Sequence, residues 1–149
     1  MEQIKITAFE IEKYEEIYKL WMSCKNMGFN NVDDSLAGIT KLVNKNPKTC
    51  FVAETEGKII GTVLAGNDGR RGYVYHLCVD EEYRQRGIGK KLVDAMLDGM
   101  REEGISKVAL VVFAYNDTAN AFYEKIGFVK RNDLFYRNIS LVELERIDT

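Results

Sequence analysis

The chain has one proline, one histidine and three cysteines among its 149 residues. Each scarcity closes off a class of function. With His76 as the sole imidazole there is no His-rich metal cluster, and a Ser-His-Asp triad would have to be built around that one ring. Cys24, Cys50 and Cys78 are odd in number, widely spaced and free of any Cys-x-x-Cys pair. Neither a disulfide framework nor a zinc site is indicated, no metal is expected, and the three thiols are expected to be reduced. No stretch approaches the ~20 apolar residues that span a bilayer. The first five residues also lack the basic and then apolar character of a secretory leader, so the expectation is a cytoplasmic protein with no membrane partner. An excess of one charge is missing too: 21 basic against 23 acidic side chains give a net charge of −2. That balance argues against a general nucleic-acid binder, whose affinity would rest on neutralising phosphates.

What remains, 46% hydrophobic and 30% charged residues, describes one globular domain over residues 1–149 with material for a sizeable core. Alternation predicts a first strand over residues 3–9. Ile11, Tyr14, Ile17, Tyr18 and Trp21 recur at helical spacing, as do Leu36, Ile39, Leu42 and Val43 in a second helix, for which Asp33 or Asp34 is the expected cap. Residues 28–31 connect the two helices. Pro47 blocks further helix, and strands are predicted over residues 50–53 and 59–64 around a turn at Glu56-Gly57-Lys58. A fourth strand spans residues 72–79, a helix residues 87–103, and a fifth strand residues 107–113. A short helix capped by Asn116 or Asp117 runs to Ile126, and strands are expected near residues 128–131 and 134–141.

Most informative is the passage from Tyr73-Val74-Tyr75-His76-Leu77-Cys78-Val79 through Arg84-Gln85-Arg86-Gly87-Ile88-Gly89-Lys90. A β-branched strand runs into a basic, glycine-containing loop that opens an amphipathic helix. Glycine lets backbone approach an anion, and the first helical turn offers unpaired N–H groups at the positive end of the macrodipole. A P-loop would need Lys-Ser/Thr after the second glycine, but Lys90-Lys91 follows Gly89. A dinucleotide fingerprint would need a third glycine where Leu92 stands.

The surviving pattern, Arg84-x-x-Gly87-x-Gly89 after a strand, resembles the pyrophosphate-binding motif of the GNAT superfamily of N-acetyltransferases. A second segment, Asn116-x-x-Ala119-x-x-Phe122-Tyr123-x-x-x-Gly127-Phe128, resembles that family's other signature. The resemblance implies a GNAT-like α/β fold of order β-α-α-β-β-β-α-β-α-β-β. Its mixed, mostly antiparallel sheet would have about seven strands and helices on both faces. It implies acetyl-coenzyme A as co-substrate, its pyrophosphate held by Arg84, Gln85, Arg86, Gly87, Ile88, Gly89 and Lys90. Backbone of Leu77, Cys78 and Val79 would pair with the pantetheine arm, Val79 offering an N–H to the thioester oxygen. Asn116 would contact coenzyme A, and Tyr123 would protonate or hydrogen-bond the departing thiolate, a task suited to a phenol with a pKa near ~10.

The acceptor side is less legible. Acetyl transfer to an amine needs a neutral nitrogen, yet the fifth strand offers no carboxylate. Tyr73 and Tyr75 occupy the positions from which family members supply a base, and they could hold a water. Strand alternation places His76 and Cys78 on the face opposite Tyr75 and Leu77, so His76 reads as packed or solvated and a covalent acetyl-cysteine is not favoured over direct transfer. Residues 28–34, the first two helices, the last hairpin, Tyr73, Tyr75 and Phe29 are the candidate acceptor contacts. Trp21, Asp33 and Asp34 could form a pocket for a cationic amine or serve packing and capping. The expected partner is a primary amine on a small molecule or protein, met by a monomer or homodimer. A non-catalytic acyl-coenzyme A-binding module is the alternative.

Overall fold

The computed structural model describes residues 3–149. Seven strands are present: β1 (Lys5–Ala8), β2 (Gly28–Asn30), β3 (Phe51–Thr55), β4 (Lys58–Asn67), β5 (Arg71–Val79), β6 (Lys107–Leu110) and β7 (Arg146–Asp148). Four α-helices accompany them: α1 (Tyr14–Ser23), α2 (Leu36–Lys45), α3 (Ile88–Glu102) and α4 (Asp117–Lys125). Five strands form one sheet in the order β1-β3-β4-β5-β6, and β2 pairs with β7 in a second, two-stranded sheet. Every pairing is antiparallel except β5 with β6.

Helices cover both faces of the main sheet, and two apolar clusters follow. On one face Ile17, Leu20 and Trp21 of α1 and Ile39 of α2 pack with Val52 and Leu64. On the other, Ile88, Leu92, Val93, Met96 and Met100 of α3 pack with Ala53, Ile60, Val63 and Val74. These α3 residues recur at three- and four-residue spacing, so one stripe is buried, each large side chain contributing about 1.5–3 kcal/mol. The helix lies tight on the chain before β3: a Cβ at Gly99 would stand 1.9 Å from the Lys48 carbonyl oxygen.

The predicted order holds with three corrections. Residues 28–31 are more than a connection, because Gly28–Asn30 forms a strand with Arg146–Asp148 in the register Phe29 opposite Ile147. The strands expected near residues 128–131 and 134–141 are not formed; residues 128–145 run without helix or strand, and Phe135, Ile139 and Leu141 are exposed. Their apolar pattern suits a strand, but neither segment is paired with a partner strand. Finally, α2 is capped by Ser35, whose hydroxyl accepts from the Gly38 N–H at 3.1 Å, in place of Asp33 or Asp34. Asp34 is used elsewhere.

Candidate active site

Two features of β5 create the site. Its pairing with β6 ends at Val74 and Leu110, so beyond that point the two strands separate. Its pairing with β4 shifts register between Leu64 and Ala65: His76 stands opposite Leu64 and Val74 opposite Ala65, leaving Tyr75 as the extra residue of a bulge. Side-chain parity therefore reverses along the strand. Val74 belongs to the α3 cluster, whereas Cys78, also even-numbered, belongs to the α1 cluster.

A cleft of about 560 Å³ opens where β5 and β6 part. One wall carries Tyr75, His76 and Leu77; the other carries residues 111–114 and, from α4, Asn116 and Tyr123. The bulge precedes His76, so from there to Val79 alternation holds: His76 packs with Trp21 and Phe29 in the cluster that holds Cys78, while Leu77 and Val79 pack against the α3 cluster. His76 is among the cleft residues with Tyr75 and Leu77, and its imidazole is packed as expected. Its Nε2 lies 2.6 Å from Asp34 Oδ1, and its ring sits 4.5 Å from Phe29 and 5.4 Å from Trp21. Phe29 itself is 4% exposed and stacks on Trp21 at 5.3 Å. Both rings are core residues backing the wall. Tyr73 contacts Tyr75 ring to ring at 4.9 Å, and burial pushes its phenol up to about 12.

Past Val79 the chain makes a short 3-10 turn, Glu81–Tyr83, and enters the basic loop. Gln85 and Gly87 both take left-handed backbone, with φ of 64° and 76°. Gly87 is the N-cap of α3 and makes no side-chain cap bond, so the first-turn N–H groups face outward. A Cβ there would meet nothing within 4 Å. The open space over this helix start suits a pyrophosphate. Arg84 is anchored through Nε to the Val79 carbonyl at 3.2 Å, Arg86 stacks over Tyr83 at 5.0 Å, and Lys90 engages Asp94 at 2.8 Å. The loop and Tyr123 are neighbours across the fold: the Cβ position of Gly89 lies 3.3 Å from the ring of Phe122.

Tyr123 touches Phe122 and Phe128 edge to face, and burial pushes its phenol up to about 12. It stays protonated at any ordinary pH and acts as a donor only. Asn116 caps α4 by accepting from the Ala119 N–H at 3.2 Å, and its amide donates to the Asn26 carbonyl at 3.4 Å. Both ends of that side chain are used within the chain. The expectation of three reduced thiols is corrected for two of them: Cys24, which follows α1, is bonded to Cys78 of β5. Their separation of 54 residues carries no local signal; Cys78 meets the α1 side because it points away from Leu77 and Val79. Cys50 is free and buried, which raises its thiol to about 11 and keeps it inert. Among the described residues no group of acids, histidines or cysteines could hold a metal.

The parted strands β5 and β6, the glycine-opened start of α3 and Tyr123 are the features that the resemblance implies for an acyl-coenzyme A site. The profile of the Acetyltransferase (GNAT) family matches residues 14–128, and the chain belongs to that family. It is an acetyl-coenzyme A-dependent N-acetyltransferase. An acetyltransferase of Sodalis glossinidius (strain morsitans) is 30% identical over 140 residues, covering 94% of this chain and 97% of the relative. The crystal structure of Ard1 from Thermoplasma volcanium superposes with a TM-score of 0.75 at 28% identity, covering 85% of this chain and 82% of that one. A chain of the NatC complex bound to Gag peptide and CoA gives a TM-score of 0.72 at 25% identity, covering 87% and 86%. No helix among the described residues is long and apolar enough to cross a membrane.

Proposed function

We propose that the chain transfers the acetyl group to a primary amine by direct attack, with donor and acceptor held together in the cleft between β5 and β6. The observation that carries this reading is the cleft itself, which sets Tyr75, His76 and Leu77 of β5 across from Tyr123, on the strand that leads into the loop at Gly87. Arg84 and the first-turn N–H groups of α3 hold the pyrophosphate. Backbone at Leu77 and Val79 bonds the pantetheine arm and offers an N–H to the thioester oxygen, a reading supported by the end of the β6 pairing at Val74. Tyr123 donates its hydroxyl to the sulfur as the C–S bond breaks. Because its proton is held to about 12, the phenol stabilises the thiolate through a hydrogen bond. Cys78 is spoken for by Cys24, which fits direct transfer better than an acetyl-cysteine.

Among the described residues the cleft wall offers tyrosines, Met27 and Phe113 but no Asp, Glu, Lys or Arg. Such a lining suits an acceptor that presents a single amine beside apolar or amide surface, such as a peptide amino terminus, better than a polycation. Thiol release from acetyl-coenzyme A, measured with peptides bearing a free α-amine, an aminoglycoside and a polyamine, tests the proposal. Turnover with the peptides is expected, falling by about 10²-fold in Tyr123→Phe while coenzyme A affinity is kept. Cofactor binding without acetylation of any amine would contradict it.

A further inference from the structure

Beside the cleft lies a buried acid–imidazole pair, reached through the cleft residue His76, that the cofactor machinery leaves unexplained. Asp34 sits in the connection between β2 and α2, and its side chain is 8% exposed. Its Oδ2 accepts from the Asn30 N–H at 2.8 Å, and its own carbonyl accepts from the Tyr14 hydroxyl at 2.6 Å. Thus both the carboxylate and the backbone that carries it are fixed. The remaining oxygen, Oδ1, meets His76 Nε2 at 2.6 Å. Phe29 and Trp21 hold the ring, and Nδ1 has no hydrogen-bond partner among the described residues. His76 is among the residues that line the cleft, with 10% of its side chain exposed. A carboxylate on one ring nitrogen selects the tautomer that leaves the other with a lone pair.

We infer that His76 is the base that deprotonates the acceptor amine and that Asp34 is its positioning residue. This rests on the acetyltransferase reading of the cleft. An amine arrives as an ammonium, and Nδ1 takes one of its protons, freeing the nitrogen lone pair. The C–N bond then forms, the C–S electron pair leaves with sulfur as a thiolate hydrogen-bonded by Tyr123, and the second amine proton, lost from the new amide nitrogen to solvent, balances the one the thiolate takes up from it. His76 returns its proton to solvent. Among the described residues no other group near the ring can do this work. Trp21 and Phe29 do not titrate, Tyr14 is committed to the Asp34 carbonyl, and Cys78 is in a disulfide. The phenols of Tyr75 and Tyr123 are both raised by burial, and Asp33 acts on Tyr75.

The test compares methylamine, an ammonium at neutral pH, with hydroxylamine, already neutral there, as acceptors in thiol release. For His76→Gln the methylamine rate is expected to fall by about 10²-fold or more, the hydroxylamine rate by less than about threefold, and the acid limb of the methylamine profile to vanish. Asp34→Asn should slow methylamine by about tenfold and keep the limb. Coenzyme A affinity by calorimetry should hold in both variants. Equal losses with both amines, or lost cofactor affinity, would make the pair structural and overturn the inference. Because the chain has one histidine, its ring also reports directly: ¹⁵N-correlated spectra of the intact protein should show the Nε2–H tautomer at alkaline pH. An Nδ1–H tautomer would overturn the assignment even if neither small amine turned over. In contrast, a wild-type protein that binds coenzyme A and acetylates no amine while showing the Nε2–H tautomer would refute the acetyltransferase reading and leave the Asp34–His76 geometry standing.

Discussion

Single residues here do work set by burial more than by identity. Tyr123 and Tyr73 hold their phenolic protons to about 12, against about 10 for an exposed tyrosine, because a phenolate would be desolvated. The consequence for stability has a definite sign. Above about pH 10 the unfolded chain loses these protons while the native one keeps them, so the native state binds more protons and stability falls as pH rises toward about 12. Denaturant melts across this range should show the midpoint dropping, and Tyr123→Phe should flatten the drop. The same residues mark the limit of sequence reasoning. Tyr123 was legible from its place beside Phe122 in the Asn116 segment. His76 was placed on the face opposite Leu77, where it packs with Phe29 and Trp21, but its pairing with Asp34, 42 residues away, and the bulge at Tyr75 were not legible. A bulge has no requirement for glycine or proline, so nothing in the sequence announced it.

At the scale of elements, the helices were legible and their ends were set by local chemistry. Gly87, Gly104 and Gly127 all have left-handed φ at helix boundaries, as their sequence positions suggested. The fit of α3 onto the chain preceding β3 was not legible, for it depends on a contact between Gly99 and the Lys48 carbonyl 51 residues away in sequence. Backbone cannot yield there as a flexible side chain could. Gly99→Ala should therefore lower the unfolding free energy by about 1–3 kcal/mol in urea melts, despite alanine's better helix propensity. Similarly, the end strand β7 was missed because three residues, Arg146–Asp148, give no period to read; its partner β2 was hidden within a Gly-Phe-Asn-Asn stretch that reads as a turn.

For the whole molecule, two long-range ties stabilise what the local patterns leave loose. The Cys24–Cys78 bond closes a 54-residue loop between α1 and β5 and fixes one wall of the cleft. Reduction should cost about 2–4 kcal/mol of stability by the loop-closure argument, read as a shift of the denaturant midpoint with and without reductant. In a reducing compartment the protein would work without that bond, with Cys24 and Cys78 as thiols. The other tie, β2 with β7, brings the carboxyl-terminal residues to the cleft edge, where Thr149 N–H donates to the Met27 carbonyl at 2.9 Å. The account as a whole stands on the loop that opens α3, since every other assignment is placed relative to a cofactor seated there. Calorimetric titration of coenzyme A into the wild type and into Gly87→Glu tests it most directly, because a side chain and a negative charge would then fill the space above the helix start. Binding by the wild type and a loss of about 100-fold or more in the folded variant is the predicted result. Equal affinities, or no binding by the wild type, would contradict it.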